Sequence, residues 1–438
     1  MEKKRMKYFL IFYLIIVTLA TAQEKIPPLI TNIAADIDLA DSVQAQGTLT
    51  ITKALNLAMR RSPILKSYSL EIRIKEAAAL QASLIPNPEL DVELENFAGS
   101  GPLRAFKASE TTISVGQLIE LAGKRGKRTR LAELEKDLAR FSFRSKQLDV
   151  FLQTVISFNR VLVLQELVKL NKQLLKLARE FKMNIERRVR AGRLSPAELD
   201  RAEVEVANAQ IAWQRRTKEL IVARHDLAAV WGSKKVTFQK VQGNLEILFT
   251  LPSFEKLLAL LKQNPDWARW ETVHKRSKAA QSLAQAYAIP DPVIRIGWRT
   301  FNESRDRAFV AGFSLPLPIF NRNQGTVQES ALRMRQSTFQ EGRFQVQLQA
   351  RLTRLYQGMK ATYQTLRTLK NNIIPQAQQA FRTINQGYQE GKFGFLDVLD
   401  AQRTLFASRE SYIQNVGDYQ LIRAQIERLI GQSLQSVH

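Results

Sequence analysis

Residues 84–97 read LIPNPELDVELENF, and residues 288–301 read AIPDPVIRIGWRTF. In both places two prolines flank an Asn or Asp, a helical pattern precedes them and an alternating pattern follows. Proline removes a backbone donor and restricts the residue before it, so the helices predicted over about 52–84 and 254–288 end at these motifs. In Leu90-Asp91-Val92-Glu93-Leu94-Glu95 apolar and acidic residues alternate strictly. Successive strand residues point to opposite faces, so this segment has one greasy face and one charged face. Thr112-Ile113-Ser114-Val115-Gly116 alternates more weakly. After the second motif Ile294, Ile296 and Trp298 share a face opposite Arg295 and Arg299, and Phe309, Ala311, Phe313, Leu315 and Leu317 alternate with smaller residues and Pro316.

About ten residues with apolar side chains outward, polar ones inward and aromatics near the ends is the pattern of a transmembrane β-barrel strand. Any one segment alone also fits an ordinary half-buried hairpin. The count is more informative. Four strands leave open edges, which lipid does not tolerate, and the smallest membrane barrels have about eight strands. Either these hairpins are soluble, or several chains pool their strands. Three chains would supply twelve, in a pseudo-sixfold ring.

The motif recurs because the chain is internally duplicated. Ser62-Pro63 returns as Asn264-Pro265, Gly192 as Gly391, and Trp231-Gly232 as Ile430-Gly431. The last helix of the first half carries Leu199, Ala202, Val206, Ala209, Trp213, Leu220, Ala223, Leu227 and Val230 on a heptad seam. The matching seam of the second half is Val398, Ala401, Leu405, Ser408, Tyr412, Tyr419, Ile422, Ile426 and Leu429. Sustained heptads predict coiled-coil packing. The expected organisation is a signal peptide (1–22), an N-terminal extension (23–47), a first repeat (48–232), a linker (233–250), a second repeat (251–431) and a tail (432–438). Each repeat runs helix, β-hairpin, long helix, heptad helix. The long helices, about 124–189 and 323–387, would reach roughly 100 Å at 1.5 Å per residue.

The turn before each heptad helix follows one plan. Gly192 and Gly391 suit left-handed helix ends. Ser195, Pro196 and Glu198 read as a cap, a first-turn proline and the return arm of a capping box. In the second copy, Gly391-Lys392-Phe393-Gly394-Phe395-Leu396-Asp397-Val398-Leu399-Asp400-Ala401-Gln402, Gly394 replaces the serine. Asp397 and Asp400 fall in the first turn, where the helix dipole favours anions.

The Leu-Asp-Val-Leu-Asp-Ala-Gln segment resembles the helical hairpin tip of the TolC-like outer-membrane efflux family. The two double-proline motifs and Leu315-Pro316-Leu317-Pro318-Ile319-Phe320-Asn321-Arg322-Asn323 resemble its heavy-metal branch. The resemblance covers nearly the whole chain in order. It implies a mostly α protein with membrane β: a homotrimeric twelve-stranded β-barrel in outer-membrane lipid, continued by a long α-helical barrel across the periplasm. It implies passive transport of small solutes, heavy-metal cations among them, with a periplasmic adaptor and an inner-membrane pump as partners. By the same resemblance Asp397 and Asp400 ring the periplasmic entrance, Tyr388 belongs to the network that closes it, and Glu198 is an acidic partner on the first turn. The family's arginine in that network has no match, since Phe393 stands there beside Lys392. Gly192, Leu194, Gly391 and Phe393 are the expected adaptor-contact positions at the tips.

The rest of the composition fits export and excludes most chemistry. Lys3, Lys4, Arg5 and Lys7 precede an apolar run, and Ala20-Thr21-Ala22 predicts cleavage before Gln23. The chain has no cysteine and three histidines, His225, His274 and His438, so no disulfide, metal site or cofactor is expected. No phosphate loop, Gly-x-Ser-x-Gly or His-Glu-x-x-His occurs, and no enzyme is expected. The net charge of +24 is scattered over helices without interleaved aromatics, and export argues against nucleic acid. The basic run 124–130 reads either as contacts to lipid phosphates or as a solvated helix start. Two other readings stay open: a duct for secreted protein, and an exported coiled-coil scaffold with no membrane barrel.

Overall fold

A computed structural model describes residues 47–246 and 252–437. The expected signal peptide, most of the extension and the last residue lie outside those residues. Most of the chain is helical, and one order of elements runs through it twice. The first half has strand β1 (Gly47–Thr50), helices α1 (Ile51–Arg61) and α2 (Pro63–Ser83), strands β2 (Glu89–Glu95) and β3 (Glu110–Leu118), and helices α3 (Lys124–Arg190) and α4 (Pro196–Val230). The second half has β4 (Phe238–Gln242), α5 (Phe254–Leu260), α6 (Pro265–Ala286), β5 (Val293–Phe301), β6 (Arg307–Ser314), α7 (Gln324–Thr368), α8 (Ile374–Gln389) and α9 (Phe395–Ile430). At 67 residues α3 matches the predicted length.

Three expectations need correction. The helices predicted over 52–84 and 254–288 each break in two, at Ser62 and at Asn264. The residue after each break is a proline at the start of the new helix, which has no amide for the old one, and the residue before it is extended, with ψ of 123° and 136°. The stretch predicted over 323–387 is interrupted by a π-turn, Leu369–Ile373, just ahead of Pro375. There the missing proline amide is absorbed by respacing the helical bonds. Finally, the short strands β1 and β4 were not anticipated. They pair in parallel, Leu49 opposite Val241, and bury Leu49, Phe238 and Val241 against Phe158, Leu162 and Trp231 of the first-half core.

The broken helices anchor the ends of the heptad helices. Asn264 is wholly buried. Its side-chain oxygen caps α6 by accepting from the Asp266 amide (2.8 Å), while its Nδ2 donates to the carbonyls of Arg428 and Leu429, each at 2.9 Å. Those last-turn carbonyls have no partner within a helix. Beside it the Arg428 guanidinium holds Asp149 of α3 and Asp266 of α6, both at 2.8 Å. One arginine therefore ties together three helices from both halves.

The four long strands form one antiparallel sheet in the order β2-β3-β5-β6. Its register aligns Val92, Ile113, Trp298 and Phe309 in one row, and Leu90, Val115, Ile296 and Ala311 in the next. Among the described residues this face is largely uncovered: Leu90 is 69% exposed, Trp298 50% and Phe309 93%. The opposite face carries the charges. Arg295 reaches across β3 to Asp91 (3.4 Å), and Arg299 meets Glu95 and Glu110, both at 2.9 Å. Edge strands β2 and β6 have no outer partner among the described residues.

The double prolines sit where sheet meets helix. Asp291, of the second motif, accepts from the Leu121 amide (2.7 Å) and pairs with the buried Lys124 ammonium (2.6 Å), which also donates to the Ile289 carbonyl. Arg128 donates to the orphan carbonyls of Ala82 and Leu84 at the end of α2. Two members of the basic run are thus occupied inside the chain and are not free for lipid phosphates.

Two outcomes test this frame. A Cβ added to Gly297 would lie 2.3 Å from the Ile113 carbonyl oxygen and 2.7 Å from the Ser114 Cα, backbone that cannot swing away. Gly297→Val should therefore destabilise the sheet by about 1–3 kcal/mol, read as a lower thermal midpoint in detergent. For Asp149, burial pushes its carboxyl up, but Lys146 and Arg428 outweigh that and hold it below the ordinary carboxylate range. A depressed folded value stabilises above the unfolded one, and that stability is lost as pH falls through the folded value. Melting midpoints should fall on acidification below about pH 4, and Asp149→Asn should lower the midpoint at neutral pH while shrinking the acid-induced fall.

Candidate functional site

Both helical tips are built from the same backbone device. At the end of α3 the Gly192 amide donates to the Val189 carbonyl (2.9 Å) and the Arg193 amide to that of Arg188 (2.8 Å). At the end of α8 Gly391 and Lys392 donate to Tyr388 (3.2 Å) and Gly387 (2.7 Å) in the same pattern. This double closure needs a left-handed residue, and the two glycines supply φ of +69° and +78°.

The restarts differ. Ser195 caps α4, but its hydroxyl accepts from the Ala197 amide (3.3 Å), and Glu198 does not reach back to close the expected capping box. Glu198 Oε2 is instead buried with no hydrogen-bond partner among the described residues. In the other tip the reverse half of the box forms: Gly394 has no hydroxyl to offer, and Asp397 Oδ2 accepts from the Gly394 amide at 2.8 Å. Asp400 lies one turn further along α9, exposed, with no ion pair among the described residues.

A small core joins the two tips. Phe181, Ile185 and Ala202 of the first pack with Tyr388, Phe395, Val398 and Leu399 of the second, and Leu194 is partly buried against them. Tyr388 is buried, its ring centroid 6.3 Å from that of Phe395, and its hydroxyl has no partner among the described residues. The Arg188 guanidinium lies over this ring, 5.0 Å from its centroid, a cation–π arrangement. Sequence reading did not single out Arg188, which comes from the opposite tip and follows Arg187 in a generally basic run. The amide of Gln402, also fully buried and without a hydrogen-bond partner among the described residues, was missed as well. Buried polar groups are normally paired, so these unpaired groups mark the tips as polar sites within an otherwise apolar core.

Of the expected contact positions Gly192, Gly391 and Phe393 are exposed, while Leu194 is turned half inward. Phe393 also lies flat on Gly387: a Cβ there would come within 2.4 Å of its ring. Around the tip, Lys392 pairs with Glu390 at 2.7 Å and, with Gln386, holds that carboxyl below its ordinary range. Lys182 to Glu203 and Arg403 to Glu205, both 2.8 Å, brace neighbouring helices.

A second candidate surface is the charged face of the sheet. Strand parity places Glu89, Asp91, Glu93, Glu95 and Glu110 there against Arg295 and Arg299. Five carboxylates face two guanidinium groups, so this surface is acidic in a chain that is strongly basic overall.

The sequence profile described as outer membrane efflux protein matches residues 54–233 and 259–432. The chain is 32% identical over 388 residues to the cobalt-zinc-cadmium resistance protein CzcC of Cupriavidus metallidurans, covering 89% of this chain and 91% of that protein. It is 21% identical over 300 residues to the nickel-cobalt-cadmium resistance protein NccC of Alcaligenes xylosoxydans xylosoxydans, covering 67% and 66% of the two chains. In fold it is similar to a crystal structure of CusC, with a TM-score of 0.75 at 16% identity over 91% of this chain and 96% of that one.

The tip geometry separates its two aspartates. Asp397→Ala removes the acceptor of the Gly394 amide and should cost about 0.5–1 kcal/mol, lowering the melting midpoint. Asp400→Ala, which breaks no bond within the chain, should leave that midpoint unchanged. Thermal unfolding followed by circular dichroism checks both.

Proposed function

The chain belongs to the outer membrane efflux protein family, in its heavy-metal resistance branch, and on that premise we propose that three copies build one exit duct for divalent heavy-metal cations. An outer-membrane efflux channel reaching into the periplasm has to present an apolar girdle to lipid and a polar wall to its cargo. The observation that carries the reading is the two-faced sheet. Its apolar side is bare, its opposite side bears the charges, and its two edges are open.

Three such sheets close a twelve-stranded barrel with no free edge, which satisfies every backbone group in the hydrocarbon. Helices α3 and α7 with α8 continue each hairpin away from the membrane as the wall of a helical barrel. The tips at Gly192 and Gly391 lie at its far end, where Leu194 and Phe393 offer apolar contact to a periplasmic adaptor and, through it, to an inner-membrane pump. Asp397 and Asp400 of three copies place six carboxylates at the entrance, a ring that attracts cations and resists closure by mutual repulsion. Tyr388, Arg188 and Glu198 stand behind that ring. In the barrel the acidic excess of the strand faces continues the same field. Nothing in this arrangement breaks or forms covalent bonds: the duct opens and closes, and the pump supplies the work.

The names of the relatives indicate cobalt, zinc and cadmium, and an acidic passage suits such ions. Loss of the protein should lower the tolerance of its host to these salts and raise cell-associated metal, with tolerance restored by the intact chain. Unchanged tolerance to every divalent ion, with loss of a secreted protein instead, would overturn the cation reading.

A further inference from the structure

Most of the positive charge is spread thinly over the helices, but α3 gathers some of it in one place. Lys169, Lys172, Lys176 and Arg179 follow one another at spacings of three, four and three. That spacing sets all four on one stripe of the helix, about 15 Å long. They are exposed, while Leu167, Ala178, Phe181 and Ile185, on the other side of the same turns, are buried. Together with Gln210 and Trp213 of α4 the stripe lines an open groove of about 720 Å³.

Little within the chain neutralises this stripe. Lys169 and Lys176 have only loose partners, Glu166 at 3.7 Å and Glu180 at 3.8 Å. Arg179 donates to the neutral side-chain oxygen of Gln210 at 2.9 Å, and neither it nor Lys172 has an ion pair among the described residues. The Trp213 indole N–H has no hydrogen-bond partner among them either. Like charges three and four residues apart repel, so the stripe opposes its own helix until an anion occupies the groove.

We propose that this groove binds the peptidoglycan layer, its four cations meeting the free carboxylates of the wall's short peptides. The inference rests on the reading of the chain as a cation duct: such a passage does not carry four cations on its inner wall, so the stripe faces outward. An outer-membrane channel that extends into the periplasm passes the cell wall, and the wall is a polyanion. The stripe lies about 70–80 Å along α3 from the sheet and about 15–30 Å short of the tip, so it is separate from the surface offered to an adaptor. Sugar rings rest on aromatic faces and their hydroxyls accept from N–H donors, which Trp213 supplies beside the cations. An acidic helix is the poorer occupant. Helices dock in grooves through a row of apolar anchors, and here the apolar lining is confined to Leu175, Met183 and the Trp213 ring.

Co-sedimentation of the detergent-purified protein with isolated peptidoglycan sacculi tests this, with the oligomer's mass measured on the same preparation. The protein should sediment with sacculi at low salt and be released by about 0.5 M sodium chloride, where screening leaves charges a reach of only a few ångströms. Lys172→Gln with Arg179→Gln should lower the bound fraction about fivefold or more, and so should amidation of the sacculus carboxylates. Lys234→Gln with Lys235→Gln, an equal loss of exposed charge outside the groove, should leave binding unchanged. Equal binding by both double variants, undiminished binding to amidated sacculi, or an intact trimer that ignores sacculi would overturn the wall contact and leave the duct standing. Binding of poly-glutamate but not of sacculi, with the same dependence on Lys172 and Arg179, would overturn it in favour of an acidic protein partner. A single-chain species that still binds sacculi through the groove would remove the duct and keep the contact.

Discussion

An unpaired backbone amide or carbonyl in hydrocarbon costs several kcal/mol, and this constraint organises the whole chain. Four strands are too few to close a barrel, yet one face of their sheet is apolar and largely exposed among the described residues. Both edges of the sheet are open among the described residues, and on the proposed duct the remaining features are preparation for completion. The two hairpins share one register, so copies placed side by side can continue the sheet without a break. On the proposed duct the helices below them are long because its wall extends well beyond the lipid.

The double prolines make the passage from helix to sheet. They stop the rising helix, set the chain extended, and in the second motif provide the aspartate that grips the start of α3 through the Leu121 amide and the Lys124 ammonium. At the other end of the same helices, Pro63 and Pro265 perform a second break, and Asn264 and Arg428 use it to fasten both halves together. A 67-residue helix is a poor fold by itself; these two sets of polar contacts, one near the sheet and one at mid-length, fix its position against its neighbours.

Much of this was legible in the sequence because it is written in periodicity. The heptad seams of α4 and α9, the length of α3 and the positions of the four long strands all follow from spacing of apolar residues. The glycine helix ends follow from the one conformation that only glycine adopts easily. What escaped reading depends on contacts between distant segments. The parallel pair β1 and β4 is too short to carry a pattern, and it exists because Leu49, Phe238 and Val241 complete a core built elsewhere. The π-turn before Pro375 and the breaks before Pro63 and Pro265 lay in proline positions whose cost was underweighted against helical periodicity. At the tips a predicted capping box split between the two copies, one keeping the serine cap and the other the carboxylate return. Arg188 was invisible among basic neighbours, since only the packing of one tip on the other places it over Tyr388.

The charge distribution carries the functional argument. A chain with a net charge of +24 has put an acidic surface on the one side of its sheet that a barrel would enclose. Its basic residues lie mainly along the helices, so the net charge does not describe that surface. The account depends most directly on stoichiometry. Native mass spectrometry of the protein extracted by detergent from the outer membrane should give an assembly of three chains. A stable single chain or dimer, or recovery in the soluble periplasmic fraction without detergent, would contradict it.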